Sequence, residues 1–330
     1  MRTMRTIGHA LVPLLLLTGG LGSVDPAEQQ LLSSARDLVN IRSTDGNPFQ
    51  LEADIRLQIN VPQDGHLTWK WAAKNAWSQE ITLGDYTQIN VRQADTLYIS
   101  RNGFFTPLRV SELEDLVDIF RADVELQIDK VKHENTNGND SQCMQVRPRS
   151  GPHVGNTKRE LCIDRATKEI LSDEVREDHE FRRKEFTDFA PFRWHRYPRQ
   201  LKLLENGSAV VKVWVTSLQD ATFDERTFVP PPGAIARRQC EHMIHPVPLK
   251  TPNPAYPRSA AQNRMSGTVT VALTVLPDGS VTDLHVVGGA GREMDQVTEQ
   301  TVRKWKFKPA MCGAEPVADD IHVQVNFSTR

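Results

Sequence analysis

The last quarter of the chain alternates between apolar and polar residues in a way that permits few structures. In residues 268–275, valine or leucine alternates with threonine or alanine, and in residues 321–327 Ile, Val, Val and Phe alternate with polar residues. A period of two is typical of a β-strand that buries one face. Residues 276–279, Leu-Pro-Asp-Gly, predict a tight turn, because proline presets φ and glycine accepts a positive φ. A second strand ending at Val287 follows.

A segment with helical periodicity separates the second strand from the last one. Apolar or small residues recur there at spacings of three and four, at Met294, Val297, Thr298, Thr301, Val302 and Trp305. This spacing places one apolar face on a helix. We therefore predict a β-β-α-β order, a small antiparallel sheet covered on one side by a helix. The final strand then lies at a sheet edge, where its unpaired N–H and C=O groups can pair with an extended peptide.

Several short motifs of this stretch, in this order, resemble the TonB C-terminal domain. They are Tyr256-Pro257, Gly267, Pro277-Asp278-Gly279, Trp305-Lys-Phe307-Lys-Pro309, residues 313–317 and Phe327. The resemblance implies that the TonB box peptide of an outer-membrane TonB-dependent receptor pairs with the last strand, and that the Tyr256-Pro257 segment packs near it. The binding edge would consist of Ile321, His322, Val323, Gln324, Val325, Asn326 and Phe327.

The first residues have the order of a targeting segment. Arg2 and Arg5 precede an apolar run at 10–17, and small residues follow at 18–23. This order is typical of a secretory signal peptide, and the run is shorter than the ~20 residues of a membrane-spanning helix. We expect residues 1–23 to be a signal peptide, which places the protein in the periplasm, or else a short anchor in the inner membrane. Only an anchored form would couple to an ExbB–ExbD motor.

The composition predicts a globular protein of about two domains. The chain has 330 residues, a net charge of −2 and 38% hydrophobic residues, which argues against nucleic-acid partners. We expect a β domain at residues 27–230, a Pro-rich linker at 231–253 and the TonB-like domain at 254–330. No nucleophile elbow or zincin motif is present in the sequence, so we expect a binding protein without a cofactor rather than an enzyme.

The first domain is predicted to be mostly β. Alternating runs begin at Phe49 and are separated by turn signals such as residues 62–65, which indicates an antiparallel meander. Apolar residues at 31–39 favour a short helix before it. Ser111 and Glu114 form a capping box, which predicts that a second helix begins there. The fold class is therefore α+β, with a curved antiparallel sheet, or half-barrel, and one or two helices.

The end of this region is similar in pattern to lipoprotein carriers of the LolA/LolB type, over residues 197–218 and 228–231. The similarity implies an open half-barrel whose concave face holds acyl chains. An alternative function is therefore a periplasmic carrier of lipid or lipoprotein with a TonB-like docking domain. The same residues also suit a packed core, and sequence alone does not separate a core from a pocket. The candidates for lipid contact are Leu57, Ile59, Trp69, Trp71 and Leu97.

The four cysteines fall into two pairs. Cys143 and Cys162 lie on neighbouring β runs, whereas Cys240 precedes the C-terminal domain and Cys312 follows its helix. For an exported chain we predict disulfides between Cys143 and Cys162 and between Cys240 and Cys312. The alternative is a metal site at residues 240–245, which contain one cysteine and two histidines. Their spacing matches no zinc motif, so we predict no metal.

Overall fold

A computed structural model describes most of the chain after the predicted leader. It describes residues 25–42, 47–58, 62–119, 125–136, 138–148, 158–177, 180–240 and 243–328. The predicted leader at 1–23, Ile59 and His242 lie outside the described residues. Within the described residues, every helix is too short or too polar to span a membrane.

A large antiparallel sheet of 13 strands dominates the described part of the chain. Its first meander is β1 (Phe49–Leu57), β2 (Gln63–Ala73), β3 (Ala76–Leu83), β4 (Tyr86–Gln93) and β5 (Thr96–Arg101). Its second meander is β6 (Leu126–Thr136), β7 (Asn139–Pro148), β8 (Lys158–Asp164), β9 (Ile170–Glu177), β10 (Glu180–Phe192), β11 (His195–Glu205) and β12 (Ser208–Asp220). Pairing of β1 with β12 joins the meanders. The short β13 (Ile235–Arg238) adds to β5, so β13 and β6 are the two ends of an open sheet.

Two helices fill one face of the large sheet. They are α1 (Pro26–Val39) and α2 (Leu108–Val117). The apolar sides of both helices join the inward residues of the strands in one core. Hydrogen bonds support the packing: the Tyr197 hydroxyl donates to the carbonyl oxygen of Val117 at 2.6 Å, and His195 Nδ1 lies 3.0 Å from the carbonyl oxygen of Asp37. The predicted mostly β region with one or two helices is thus present.

The predicted start of α2 is wrong. The helix begins at Leu108 after Pro107, not at Ser111, because the fully buried Val110 extends its apolar face by a turn. The Glu114 carboxylate accepts hydrogen bonds from Gln88 Nε2 at 2.9 Å and from Asn90 Nδ2 at 2.6 Å. Glu114 therefore ties the helix to β4 rather than closing a capping box.

A small sheet forms the C-terminal part of the molecule. Its strand order is β17-β16-β21, with β16 (Gly267–Val275) between β17 (Val281–Gly288) and β21 (Asp319–Phe327). One face is covered by α4 (Arg292–Val302), and the short α3 (Arg258–Gln262) precedes the sheet. The structure adds three short strands after α4 that the β-β-α-β prediction did not include: β18 (Lys306–Lys308), β19 (Ala310–Cys312) and β20 (Glu315–Val317).

The predicted linker is extended and carries three short strands. Besides β13, it contains β14 (Met243–Ile244) and β15 (Val247–Lys250). β13 pairs with the large sheet, whereas β14 pairs with β19 and β15 with β18. The segment is therefore paired with the large sheet at one end and, at the other, with the short strands that follow α4.

Candidate functional site

The last strand lies at an edge of the small sheet. β21 pairs with β16 in continuous register from Gly267 opposite Phe327 to Val275 opposite Asp319. Among the described residues, β21 has β16 as its one strand neighbour, so every second backbone N–H and C=O group points away from the sheet. Gln324 and Asn326 are exposed, whereas Val325 and Phe327 face the core. This arrangement leaves a backbone edge open to an added strand.

The Pro-Asp-Gly turn supports this sheet through the segment after α4. Gly279 has a φ of 76°, and a Cβ atom there would collide with the carbonyl oxygen of Phe307. The Phe307 N–H also donates to the carbonyl oxygen of Gly279 at 2.9 Å. Asp278 closes the turn by accepting from the Ser280 N–H at 2.8 Å. Two motifs that are distant in the sequence therefore form one contact.

Other motif residues hold the end of β21 and the segment before the sheet. The rings of Tyr256 and Phe327 meet edge to face with their centroids 5.5 Å apart, and the Tyr256 hydroxyl bonds to the carbonyl oxygen of Met265. Trp305 Nε1 donates to the carbonyl oxygen of Pro252 at 3.0 Å. Pro257 is the N-cap of α3, and Pro309 lies between β18 and β19. These residues fix the sheet on which the edge depends.

The face of the small sheet opposite α4 is covered by the large sheet and its loops. His322 Nε2 lies 3.1 Å from the carbonyl oxygen of Thr106, and Arg237 Nη2 lies 3.0 Å from Asp320 Oδ1. Burial lowers the pKa of His322, against the opposing hydrogen bond to Thr106 and the charge of Asp320. The neutral imidazole is thus the form that suits this contact.

The loop that carries Phe104 and Phe105 also contacts the small sheet, and it was not predicted from the sequence. Phe104 and Phe105 both lie against the His285 ring, with centroid distances of 6.0 and 5.5 Å. The Phe104 side chain is still 86% exposed in the presence of this contact. Two consecutive phenylalanines beside Gly103 in a polar loop were the available signal, since a large apolar side chain in a short loop often packs on another element.

Three of the residues considered for lipid contact lie in the core. Leu57, Trp69 and Trp71 are buried, and the centroids of Trp69 and Trp71 lie 5.3 and 6.2 Å from that of Phe49. Leu97 is half-buried on β5 opposite Arg237 of β13. Contact of Trp69 or Trp71 with lipid would require this aromatic cluster to open. Lipid contact by the candidate residues stays a prediction.

Both predicted disulfides are present. Cys143 and Cys162 are directly opposed on β7 and β8, and Cys240 is bonded to Cys312. Within the described residues, Glu134 and Glu160 have oxygen atoms close to the sulfurs of the first pair. Both sulfurs are in the disulfide, and Lys132 Nζ lies 2.7 and 3.1 Å from the two carboxylates. This cluster is therefore an ion-pair network beside a disulfide.

Comparison with known proteins identifies the small-sheet region. The family model described as Gram-negative bacterial TonB protein C-terminal matches residues 252–329. The protein TonB of Pseudomonas aeruginosa is 35% identical over 72 residues, which are 22% of this chain and 21% of that protein. The chain spans between about a fifth and a third of the length of the curated relatives that it matches.

Solved structures resemble both parts of the chain. The solution structure of the Pseudomonas aeruginosa TonB C-terminal domain covers 27% of this chain and 95% of its own, with 30% identity and a TM-score of 0.23. A LolA superfamily protein from Nitrosomonas europaea covers 61% of this chain and 96% of its own, with 11% identity and a TM-score of 0.42. The match to the family model over residues 252–329 confirms that the C-terminal part of this chain is similar to the TonB C-terminal domain.

Proposed function

We propose that this chain is a periplasmic binding protein of the TonB type, which engages outer-membrane TonB-dependent receptors and acts in transport across that membrane. The observation that carries the proposal is the open edge of β21 in a region that matches the TonB family model. In this function a receptor peptide in extended conformation adds to the small sheet as a fourth strand. Main-chain hydrogen bonds supply the affinity, and alternate side chains supply the selectivity.

The side chains along β21 suit this role. Val325 and Phe327 anchor the strand in the core beneath α4, while Gln324 and Asn326 remain exposed for contact with a neighbouring strand. His322 and Asp320 at the other end are engaged by the large-sheet region. The half of the edge near Gln324 is therefore the part to which a peptide has the freest access.

Proline substitutions test the edge directly. Proline removes a backbone N–H, and consecutive N–H groups of a strand point to opposite sides. Gln324→Pro and Val325→Pro therefore test the two sides of β21, and the variant that loses the outward N–H should bind a fluorescent receptor TonB-box peptide at least about tenfold more weakly. Fluorescence anisotropy measures the binding, and circular dichroism checks the fold.

Gln324→Ala is the matched control, since it removes the same exposed side chain but keeps the backbone donor. Its loss of affinity for the peptide should be smaller than that of the proline variant that loses the outward N–H, and the difference between the two measures the backbone donor. If both proline variants remain folded and bind the peptide with unchanged affinity, the edge assignment is wrong.

The alternative function, a lipid or lipoprotein carrier with a TonB-like docking domain, has less support. Trp69 and Trp71, which were candidates for a lipid-binding wall, pack against Phe49 in the core. Coupling to an ExbB–ExbD motor depends on residues 1–23, which lie outside the described part of the chain.

A further inference from the structure

A cavity of about 450 Å³ lies between the rim of the large sheet and the small sheet. We call it the intersheet cavity. The large-sheet region contributes Leu57, Leu83, Tyr86, Phe105, Leu108 and Phe181 to its wall. The small sheet contributes Thr268 and Thr270 of β16, Val287 and Gly288 of β17 and Gln324 of β21. Neither sheet encloses this space without the other.

The size and position of the intersheet cavity match those of ligand sites. Folded proteins contain few voids larger than a water molecule, whereas small-molecule pockets measure roughly 300–1,000 Å³ and often lie between domains. An apolar cavity of about 150 Å³ holds one benzene molecule. By that measure, the intersheet cavity has room for roughly 15–20 non-hydrogen atoms.

The charged groups of the wall are already paired. Arg109 Nη1 lies 2.6 Å from Glu112 Oε2, and Arg109 Nη2 lies 2.7 Å from Glu205 Oε2. Arg182 Nη1 lies 3.4 Å from Glu112 Oε1. Two guanidinium groups and two carboxylates thus balance each other. A charged ligand would lose its hydration without gaining a free counter-ion from this cluster.

Two hydroxyl groups of the wall are also engaged in hydrogen bonds. The Tyr86 hydroxyl donates to Gln88 Oε1 at 2.6 Å, and burial raises the pKa of Tyr86 to about 12. The Thr268 hydroxyl donates to Asn326 Oδ1 at 2.6 Å. A ligand would therefore gain its affinity mainly from contact with the aliphatic and aromatic side chains.

We propose that the intersheet cavity binds an uncharged apolar small molecule, such as one with a medium-length alkyl chain or two aromatic rings, held between the two sheets. This site lies on the face of the small sheet rather than along the outward backbone edge of β21, and it borders the core of the large sheet at Leu57 and Leu83. Because residues of both sheets form the wall, the ligand contacts both sheets at once.

A titration of the full chain with the uncharged fluorophore N-phenyl-1-naphthylamine tests the proposal. Saturable binding of one equivalent is expected, with displacement by dodecan-1-ol at a concentration at least tenfold lower than by dodecanoate. Thr268→Trp on the small sheet and Leu108→Trp on the large-sheet side should each fill the cavity and weaken binding at least tenfold. Thr216→Trp, an exposed position on β12 outside the cavity, should leave binding unchanged.

Different outcomes overturn different parts of the proposal. Absence of saturable binding removes the site, and wild-type affinity in either folded cavity variant places the fluorophore elsewhere. Equal displacement by dodecanoate contradicts the uncharged ligand class. Circular dichroism identifies a variant that fails to fold. If Thr268→Trp fails to fold, the affinity of Leu108→Trp, at a half-buried helix start, decides whether the fluorophore occupies the cavity.

Discussion

The two sheets bury their faces in different ways. The large sheet is filled by its own helices and by an aromatic cluster around Phe49. The central strand of the small sheet is buried on both sides: Val271 faces α4, whereas Thr270 and Thr274 face the large-sheet region and are 7% and 4% exposed. The packing of the large sheet is therefore self-contained, while the small sheet depends in part on a neighbour for the burial of its polar face.

The largest effect on stability is expected at the aromatic cluster of the large sheet. Phe49 is fully buried and contacts Trp69, Trp71 and Phe192, so Phe49→Ala should lower the free energy of unfolding by about 4–5 kcal/mol through lost contacts and a cavity. Urea denaturation measures the change. Gln219→Ala, at an exposed position on β12, is the control and should cost less than about 0.5 kcal/mol. A small effect at Phe49 would favour the interpretation that Trp69 and Trp71 contact lipid.

The two disulfides close chain loops of different length. Cys143 and Cys162 are 19 residues apart, whereas Cys240 and Cys312 are 72 apart. In the chain-entropy model, paired replacement by serine should cost about 3 kcal/mol for the first disulfide and about 4 kcal/mol for the second. Denaturation of each double variant measures these costs. A larger loss at the shorter loop would show that the longer crosslink adds little to the small sheet.

The contact between the sheets should depend on pH. Burial lowers the pKa of His322, so its contribution is complete above the unfolded value of about 6.5 and is lost as pH falls through that value toward the lower folded one. Arg237 also faces this region and is paired with Asp320. At pH 7.5, His322→Gln should cost about 1 kcal/mol through the altered hydrogen bond, and the variant should lose less stability than the natural chain between pH 7.5 and 5.5. An identical pH dependence in both proteins would contradict this role.

The smallest effect is expected on the surface of the large sheet. Burial opposes protonation of His66, but hydrogen bonds and the charges of Glu52 and Asp54 outweigh it and raise its pKa. Its contribution is present below about 6.5 and is lost as pH rises through the raised value, and it is weak because the side chain is partly exposed. Imidazole NMR titration should place the midpoints of His66 and His322 on opposite sides of about 6.5. Midpoints on the same side would refute the contrast.

Local patterns predicted much of both sheets. Alternation identified the strands, Asp278 and Gly279 identified a turn, and cysteine positions identified both disulfides. The contact between the sheets was not predictable in this way, because Thr270 and Thr274 resemble the exposed side of an ordinary strand. Whether such a face is covered depends on a distant loop, here the one with Phe104 and Phe105. The start of α2 was missed for a similar reason, since Glu114 bonds to β4.

The bond between Cys240 and Cys312 has a mechanical consequence. Cys240 comes two residues after β13, which is paired to the large sheet, and Cys312 ends β19 beside the small sheet. Force applied to a peptide paired with β21 would act along that strand. It would then extend the segment that connects the two sheets. The disulfide limits how far this segment can extend. The force would therefore reach β13 and β5 before the proline-rich segment could straighten.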